Sequence, residues 1–425
     1  MKKVYIETNG CSILRHDTQR YSIFFRLNDW EEVDKPEKAD IILLTTCGVV
    51  QKTEDHSIES LKRLKKMAKK DSRIIVGGCL PKINLGRFKK VFNGDIFGRD
   101  EDNFLDELIG SKIKIRDVFW DGKKEREHSF GEPDLKYSKK QINELVAVET
   151  LSKKFNNPHY TEIYDYLTKG RFFWKEDDPV FEVKVSDGCS FKCSYCATKN
   201  AIGNLKSKSP QKILSEFEIG VKKGYSKIVL TGDEVGYYGT DIKTNLVGLL
   251  KLLVSKSENT KIALRYVAPT ALIKYYSELK PFFKSGKVYY FCSSFQSGSQ
   301  KILREMNRPD NIEEFLSIIS DIKINFPHVF KHTQVIVGFP GETRDDFKKT
   351  IDAISDGKFE YVTIVQYSDR PKTKSIKMKN HVAQGTIKNR MKKALAVVSE
   401  LREKNLRNLI FDEIINESKN KHGER

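Results

Sequence analysis

Cys189, Cys193 and Cys196 lie in the loop Asp187–Cys196, directly after an apolar run that reads as a strand. A cubane iron–sulfur cluster is normally held by four thiolates. Three cysteines spaced C-x3-C-x2-C in one loop therefore leave one iron open. An open metal position binds substrate, by the logic that separates catalytic from structural zinc sites. The natural ligand here is S-adenosylmethionine (AdoMet), whose methionine amino and carboxylate groups can chelate that iron. Gly188 lets the backbone turn sharply as it leaves the strand. Phe191 and Tyr195 can shield the cluster from water and help set its potential. The competing reading is a structural zinc knuckle, but zinc favours four ligands and paired C-x2-C spacing, and the loop holds no histidine.

Cys11, Cys47 and Cys79 form a second group, far apart in sequence. Each falls just beyond a predicted strand. In an open parallel sheet those strand ends share one edge, the edge at which ligands bind. Three thiols meeting there can hold a second cluster, again with one iron open. Gly10, Gly48 and Gly78 beside them suit close backbone approach to a bulky group. Read alone, the three could also be buried cysteines acting as small hydrophobes. Cys292, the seventh, reads as a buried strand residue with no assigned role.

The elements that must position these groups alternate strand and helix. Val4–Glu7, Asp40–Thr46 and Arg73–Val76 read as strands, the second apolar enough to be buried on both faces. A helix is expected over Ser57–Lys70, with Leu61, Leu64 and Met67 or Ala68 inward and Lys62, Arg63, Lys65, Lys66, Lys69 and Lys70 outward. Residues 1–110 are thus expected to form an open parallel-sheet, Rossmann-like α/β domain. Residues 111–178 read as a linker or insertion, with aromatic stretches Asp117–Trp120 and Arg171–Trp174 and a helix around Ser138–Phe155. Over 179–380, strands are expected at Phe181–Val185, Lys227–Leu230, Lys261–Tyr266, Val288–Phe291, Thr333–Val337 and Tyr361–Gln366. Helices such as Pro210–Lys223, Asn311–Asn325 and Arg344–Ser355 fill the gaps, which predicts a partial (β/α)6 barrel. Leu230 leads into Thr231–Glu234, Phe291 into Ser294–Ser299 and Val337 into Gly338–Glu342. These ends share the rim with the cysteine loop, where barrel active sites sit. Residues 381–425 are expected to form an amphipathic helix, Thr386–Leu409, and a short polar tail, with no compact β-domain after it.

The 425 residues are 32% charged, with both signs interspersed, and contain no apolar run long enough to span a membrane. The N-terminus lacks a signal peptide's apolar core, so a cytoplasmic protein with reduced cysteines is expected. A net charge of +18 suggests a polyanionic partner, although a lysine-rich solvated surface would give the same figure.

The stretches Asn9–Cys11, Thr45–Val49, Val76–Cys79, Cys189–Cys196, Leu230–Gly232, Gln296–Ser299, Met306–Arg308 and Val335–Thr343 resemble the methylthiotransferase family of radical AdoMet enzymes, over nearly the whole chain. Cys196–Leu205 and Tyr237–Asp241 look most like its archaeal and eukaryotic branch, which methylthiolates N6-threonylcarbamoyladenosine beside the tRNA anticodon. The resemblance implies two 4Fe–4S clusters, one on each cysteine triad. It also implies AdoMet in a pocket lined by Tyr195, Gly232, Asp233, Gln296, Ser297 and Gly338. An AdoMet-derived radical would take hydrogen from C2 of adenine, and a sulfur, methylated by a second AdoMet, would be inserted there. Partners implied are tRNA, a reductant such as flavodoxin or ferredoxin, and a sulfur donor. No side chain beyond the clusters is assigned a catalytic role. The sequence departs from the family at Ile202, Gln334, Asp369 and Lys372, and the closing β-barrel (TRAM) of the family is not expected here. These departures bear on substrate and leave the cluster chemistry alone. The same chemistry on a protein, peptide or small molecule is therefore an alternative, and a non-catalytic nucleic-acid-binding relative is a third reading. The basic face Lys62–Lys70, with Arg87, Lys89 and Lys90, could hold RNA phosphates or simply be a solvated surface.

Overall fold

All six residues of Ile41–Thr46 are buried, and their side chains alternate between two layers. Ile41 and Leu43 pack with Val4, Phe24, Phe25, Ile75 and Phe97 on one face, while Ile42 and Leu44 pack with Tyr5, Leu61, Leu64 and Val76 on the other. A strand apolar on both faces belongs in the middle of a parallel sheet. In the computed structural model, which describes residues 1–119, 180–257 and 259–401, it does lie there. The sheet has the order β2-β1-β3-β4-β5, all parallel, with β1 Lys3–Thr8, β2 Glu31–Glu32, β3 Ile41–Thr46, β4 Arg73–Gly78 and β5 Asp95–Ile96. Helix α1 (Ser12–Leu27) covers one face and α2 (Gln51–Met67) the other. The short helices α3 (Leu80–Ile83), α4 (Leu85–Lys89) and α5 (Phe104–Ile109) follow.

The second sheet runs β12-β11-β10-β9-β8-β6-β7. Its six parallel strands are β6 Val180–Asp187, β8 Lys227–Gly232, β9 Lys261–Arg265, β10 Val288–Cys292, β11 Phe330–Val337 and β12 Tyr361–Gln366, the six expected from the sequence. A two-residue antiparallel strand, β7 (Lys206–Ser207), borders β6. Helices α6 (Lys199–Ile202) and α7 (Pro210–Lys222) link β6 to β8. Then come α8 (Leu246–Val254), α9 (Pro269–Lys284), α10 (Gln300–Glu305), α11 (Ile312–Asn325) and α12 (Arg344–Asp356). A final helix runs from residue 384 to 401, and its Ile387, Ala394 and Val398 are buried. The arrangement is the open, six-unit barrel, with β12 and β7 at its edges. The expected helix around Ser138–Phe155, the stretch Arg171–Trp174, the end of Thr386–Leu409 and the polar tail lie outside the described residues.

One apolar core joins both parts: Tyr21, Phe97, Ile115 and Val118 belong to the same cluster as Phe181, Ile213 and Phe217. The first sheet is therefore packed on the barrel through buried side chains, which fixes the two sets of cysteines relative to each other.

Candidate active site

The two central strand pairings bring the first cysteines to one edge. Thr8 is level with Thr45, and Thr46 with Gly78. Cys47 and Cys79 are the next residues of their strands, and Cys11 immediately precedes α1. Gly78 has φ +101°, and a Cβ there would stand 2.6 Å from the Thr46 carbonyl oxygen, so the close approach of β3 and β4 at this edge requires glycine. The Cys79 N–H donates to Thr46 O at 2.9 Å, and the Cys47 N–H to Ser57 Oγ at 3.2 Å. Cys11 is exposed, while Cys47 and Cys79 are buried. Burial, then the neighbouring Cys11, pushes the Cys47 thiol up. Burial pushes Cys79 up, Arg99 opposes it, and Cys47 and Cys11 add to the rise. Three thiols within electrostatic reach of one another at one sheet edge could share a metal centre, whose positive charge would offset the burial that disfavours their thiolates. The buried Asn9 Nδ2 beside them has no hydrogen-bond partner.

The second set leaves β6 through Gly188. Its φ is +73°, and a Cβ would fall 2.0 Å from Asn204 O. The Gly188 N–H donates to Asp233 Oδ2 at 2.9 Å. Ser194 bridges to the end of α10, with N–H to Met306 O at 2.9 Å and Oγ–H to Glu305 O at 2.8 Å. Burial pushes the Cys189 thiol up to about 12, and Cys193 and Cys196 add to the shift. Cys196 is raised by burial and then by Cys193. Among the described residues no three His, Cys, Asp or Glu side chains converge closely enough to share one metal ion. The loop itself offers three thiolates and no histidine, short of the four ligands a structural zinc favours.

The residues expected to line an AdoMet pocket divide into groups. Gly232 ends β8, and Gln296, with φ +67°, bridges to Val335 beside β11. Tyr195 is edge-on to Phe339 at 6.5 Å, its hydroxyl 3.5 Å from Arg308 Nη1. Asp233 is engaged elsewhere, by Gly188 and by Arg99 Nη1 at 2.8 Å. The Ser297 hydroxyl lies 3.3 Å from Thr350 Oγ1 and accepts from the Ser299 N–H. Gly338 lies under Ile387 of the final helix, where a Cβ would meet Cγ1 at 2.5 Å. Two hydroxyls not singled out from the sequence complete the rim. Thr231 Oγ1 and Ser293 Oγ, at the ends of β8 and β10, are buried without a partner. Buried polar atoms are nearly always satisfied, so these two fit the polar groups of a bound cofactor.

Four charged residues also escaped the sequence reading. Arg308 donates from Nη1 to Cys193 Sγ at 3.6 Å and from Nη2 to Ser294 O at 2.9 Å. Glu234 accepts from the Gly236 and Ala268 N–H groups, and burial pushes its carboxyl up to about 7. Arg99, from the first domain, joins Asp17 at 3.2 Å to Asp233 at 2.8 Å. Lys184 of β6 reaches Asp17 at 2.6 Å. Arg308 stood in a quoted motif without a role. Glu234 stood in a quoted strand end, also without a role; Arg99 and Lys184 had no local signal, because Asp17 and Asp233 lie far away in sequence.

One cysteine of each triad borders a common apolar cluster. Cys79 packs with Ile83 of α3 and with Ala197, Ala201 and Ile202 around α6, and Cys189 borders the same cluster. The basic run of α2 lies elsewhere. That helix begins beside Cys47, and at 1.5 Å per residue Lys66 lies about 22 Å along it from Gln51. Lys69 pairs with Asp40, at the start of β3, and Arg63 and Arg87 are occupied by Glu7 and Glu54. The lysine-rich end is thus remote from the cysteines.

A six-unit barrel with a three-cysteine loop at its first strand end, and partnerless hydroxyls on the same rim, defines a radical AdoMet enzyme. Residues 183–354 match the Radical SAM superfamily and residues 3–97 the uncharacterized protein family UPF0004. The chain is 30% identical over 380 residues to a probable threonylcarbamoyladenosine tRNA methylthiotransferase of Pyrococcus horikoshii, covering 89% of this chain and 80% of that one. It is 28% identical to a tRNA-2-methylthio-N6-dimethylallyladenosine synthase of Natranaerobius thermophilus, covering 96% and 84%. The radical AdoMet methyltransferase TsrM of Kitasatospora setae, solved with cobalamin and a 4Fe–4S cluster, shares the fold at TM-score 0.57 and 10% identity, over 88% and 77% of the two chains. The chain belongs to the radical AdoMet methylthiotransferase family; it is a transferase that uses an iron–sulfur cluster and AdoMet. Among the described residues no helix is long and apolar enough to cross a membrane.

Proposed function

We propose that the six cysteines hold two 4Fe–4S clusters facing one cavity, and that the chain methylthiolates C2 of N6-threonylcarbamoyladenosine in tRNA. The observation that carries the two-cluster reading is the shared packing of Cys79 and Cys189, since sulfur insertion needs both centres at one substrate atom. The tRNA substrate is supported by the names of the relatives in Pyrococcus horikoshii and Natranaerobius thermophilus. When bound, the clusters supply reductive AdoMet cleavage and the sulfur to be inserted. Electrons would come from a carrier such as flavodoxin or ferredoxin, and sulfur from a separate donor.

The chain's own residues hold and orient these groups. Cys189, Cys193 and Cys196 would hold one cluster; Cys11, Cys47 and Cys79 the other. Asp233 holds the Gly188 amide and so sets the direction in which the Cys189 loop leaves β6. Phe191 and Tyr195 cover the loop, and their rings limit water at the sulfurs. Thr231 and Ser293 offer hydroxyls to AdoMet, and Gln296 and Gly232 border them. Arg308 supplies a charged donor to Cys193 Sγ. Positive charge and N–H···S bonding raise a cluster's potential, so Arg308→Met is expected to lower that of the barrel cluster by on the order of tens of millivolts. A redox titration followed by electron paramagnetic resonance measures this, and an unchanged potential would remove Arg308 from the role.

Nucleoside mass spectrometry of tRNA from cells with and without the gene tests the substrate. Loss of 2-methylthio-N6-threonylcarbamoyladenosine is expected. Loss of the dimethylallyl counterpart instead would move the assignment to the Natranaerobius-like activity. Unchanged methylthioadenosines would reject tRNA as the substrate.

A further inference from the structure

A cavity of about 290 Å³ opens between the two domains, beside the C-terminal end of β6. Its first wall comes from α1 and the segment after α5; its second from β7 and α7. Seven cationic side chains line it against four carboxylates. The cations on its floor, Lys184, Arg99 and Arg20, are turned onto the buried Asp17, whose carboxyl they hold well below the usual range against the cost of burial. Those on the wall and rim are placed differently. Lys208 is paired with Glu216 at 2.7 Å, whereas Lys206 and Arg116 are exposed at the mouth. Beside them Phe119 leaves its ring 37% exposed, with Lys212 Nζ 5.0 Å from its centroid.

We infer that this cavity is an RNA subsite that takes one nucleotide of the substrate's backbone, its phosphate on Lys206, Lys212 and Arg116 and its base or ribose on Phe119. The inference rests on tRNA being the substrate. Three arguments carry it. The volume suits about one nucleotide, the low end of ligand pockets. An exposed aromatic face flanked by exposed cations is the combination by which proteins hold unpaired nucleotides, stacking for the base and charge for the phosphate. The cavity also adjoins the reactive junction without being part of it. Asp187, two residues before Cys189, and Ile202, packed with Cys79 and Cys189, both lie in its wall. A nucleotide anchored there would hold the strand while its neighbour is splayed out toward the cysteines, the displacement that base-modifying enzymes need.

Affinity for the anticodon stem-loop of tRNA, measured by fluorescence anisotropy across a salt series, tests this. The double variant Lys206→Glu/Lys212→Glu is expected to bind at least tenfold more weakly. The slope of log affinity against log salt should fall by about 0.7, the value for the one single-strand phosphate these cations neutralise. Phe119→Ala should weaken binding at least fivefold, as loss of one stacked base does, with the slope unchanged. Lys62→Glu/Lys66→Glu makes the same charge change on the remote end of α2 and should stay within about twofold of the parent. Melting curves show whether each variant is folded. If the parent binds and the cavity variants lose no more than the α2 variant, the subsite is overturned and the substrate stands. If the parent itself does not bind RNA, the subsite falls together with the tRNA reading.

Discussion

Replacing Cys47 with alanine is expected to halve the iron of the anaerobically reconstituted protein, from about eight to about four atoms per chain. Methylthio product should be lost while reductive cleavage of AdoMet continues. The reason is positional. Cys47 follows a strand of the first sheet, within electrostatic reach of Cys11 and Cys79, whereas the loop of Cys189, Cys193 and Cys196 is built by Gly188, Ser194 and Arg308 on the barrel. Each set of ligands has its own backbone support. Cys193→Ala should give the opposite pattern, with cleavage and product both lost. If Cys47→Ala also abolished cleavage, the two sets would not be separate centres, and a single shared site would have to replace them. An iron content near four in the parent protein would have the same consequence.

The second large effect is expected in the first turn of α2, close to the same strand end. Arg370, in the segment after β12, makes a buried ion pair with Glu54 of α2; their side chains are 1% and 0% exposed. Arg370 Nη1 also donates to Gln51 Oε1, and the Gln51 N–H to Ser368 Oγ, so this is a second contact holding the domain on the barrel. Removing one partner of a buried pair leaves a charge without compensation and costs about 3–5 kcal/mol. Arg370→Met should fall toward the lower end, because Arg87 remains on Glu54 at 2.7 Å. At about 2.1 cal/mol/K per residue over the 425-residue chain, a Tm drop of roughly 3–6 °C corresponds to that range. The double variant Glu54→Leu/Arg370→Met should recover most of the loss, as apolar replacements of buried pairs do. A single-variant loss below about 1 kcal/mol would mean that Arg87 alone compensates Glu54.

The same pairs explain what the sequence did and did not disclose. Strands such as Ile41–Thr46 and Tyr361–Gln366 are continuous apolar runs and were legible. So were both cysteine triads, because each thiol follows a strand end. Helix α1 was not. Its inward stripe of Ile13, Leu14, Tyr21 and Phe24 is interrupted by Asp17, a carboxylate at a core position. Helix α2 begins at Gln51, six residues ahead of the expected Ser57, and the turn that was missed contains the buried Glu54. Hydrophobic periodicity fails where a charge takes an inward position, and here the compensating cations are 167 and 316 residues away. The strand ends were under-read for a related reason. Thr231-Gly232 continues β8, but small polar residues at a functional rim carry no apolar alternation, whereas Cys292, read as a buried strand residue, does end β10. The carboxylate of Asp233 points to Arg99, although its position beside Gly232 had suggested a place in the cofactor pocket.

The separation of Glu54 from Arg370 also sets a schedule. The ribosome completes Glu54 316 residues before Arg370, which at 5–20 residues per second is roughly 15–60 s of synthesis. Asp17 has Arg20 and Arg99 within its own domain and gains Lys184 later. During that interval Arg87 alone faces Glu54, so the carboxylate keeps part of its hydration and opposes premature burial of this flank of the nascent first domain. Its cysteine edge stays accessible until the barrel that will cover it has been made.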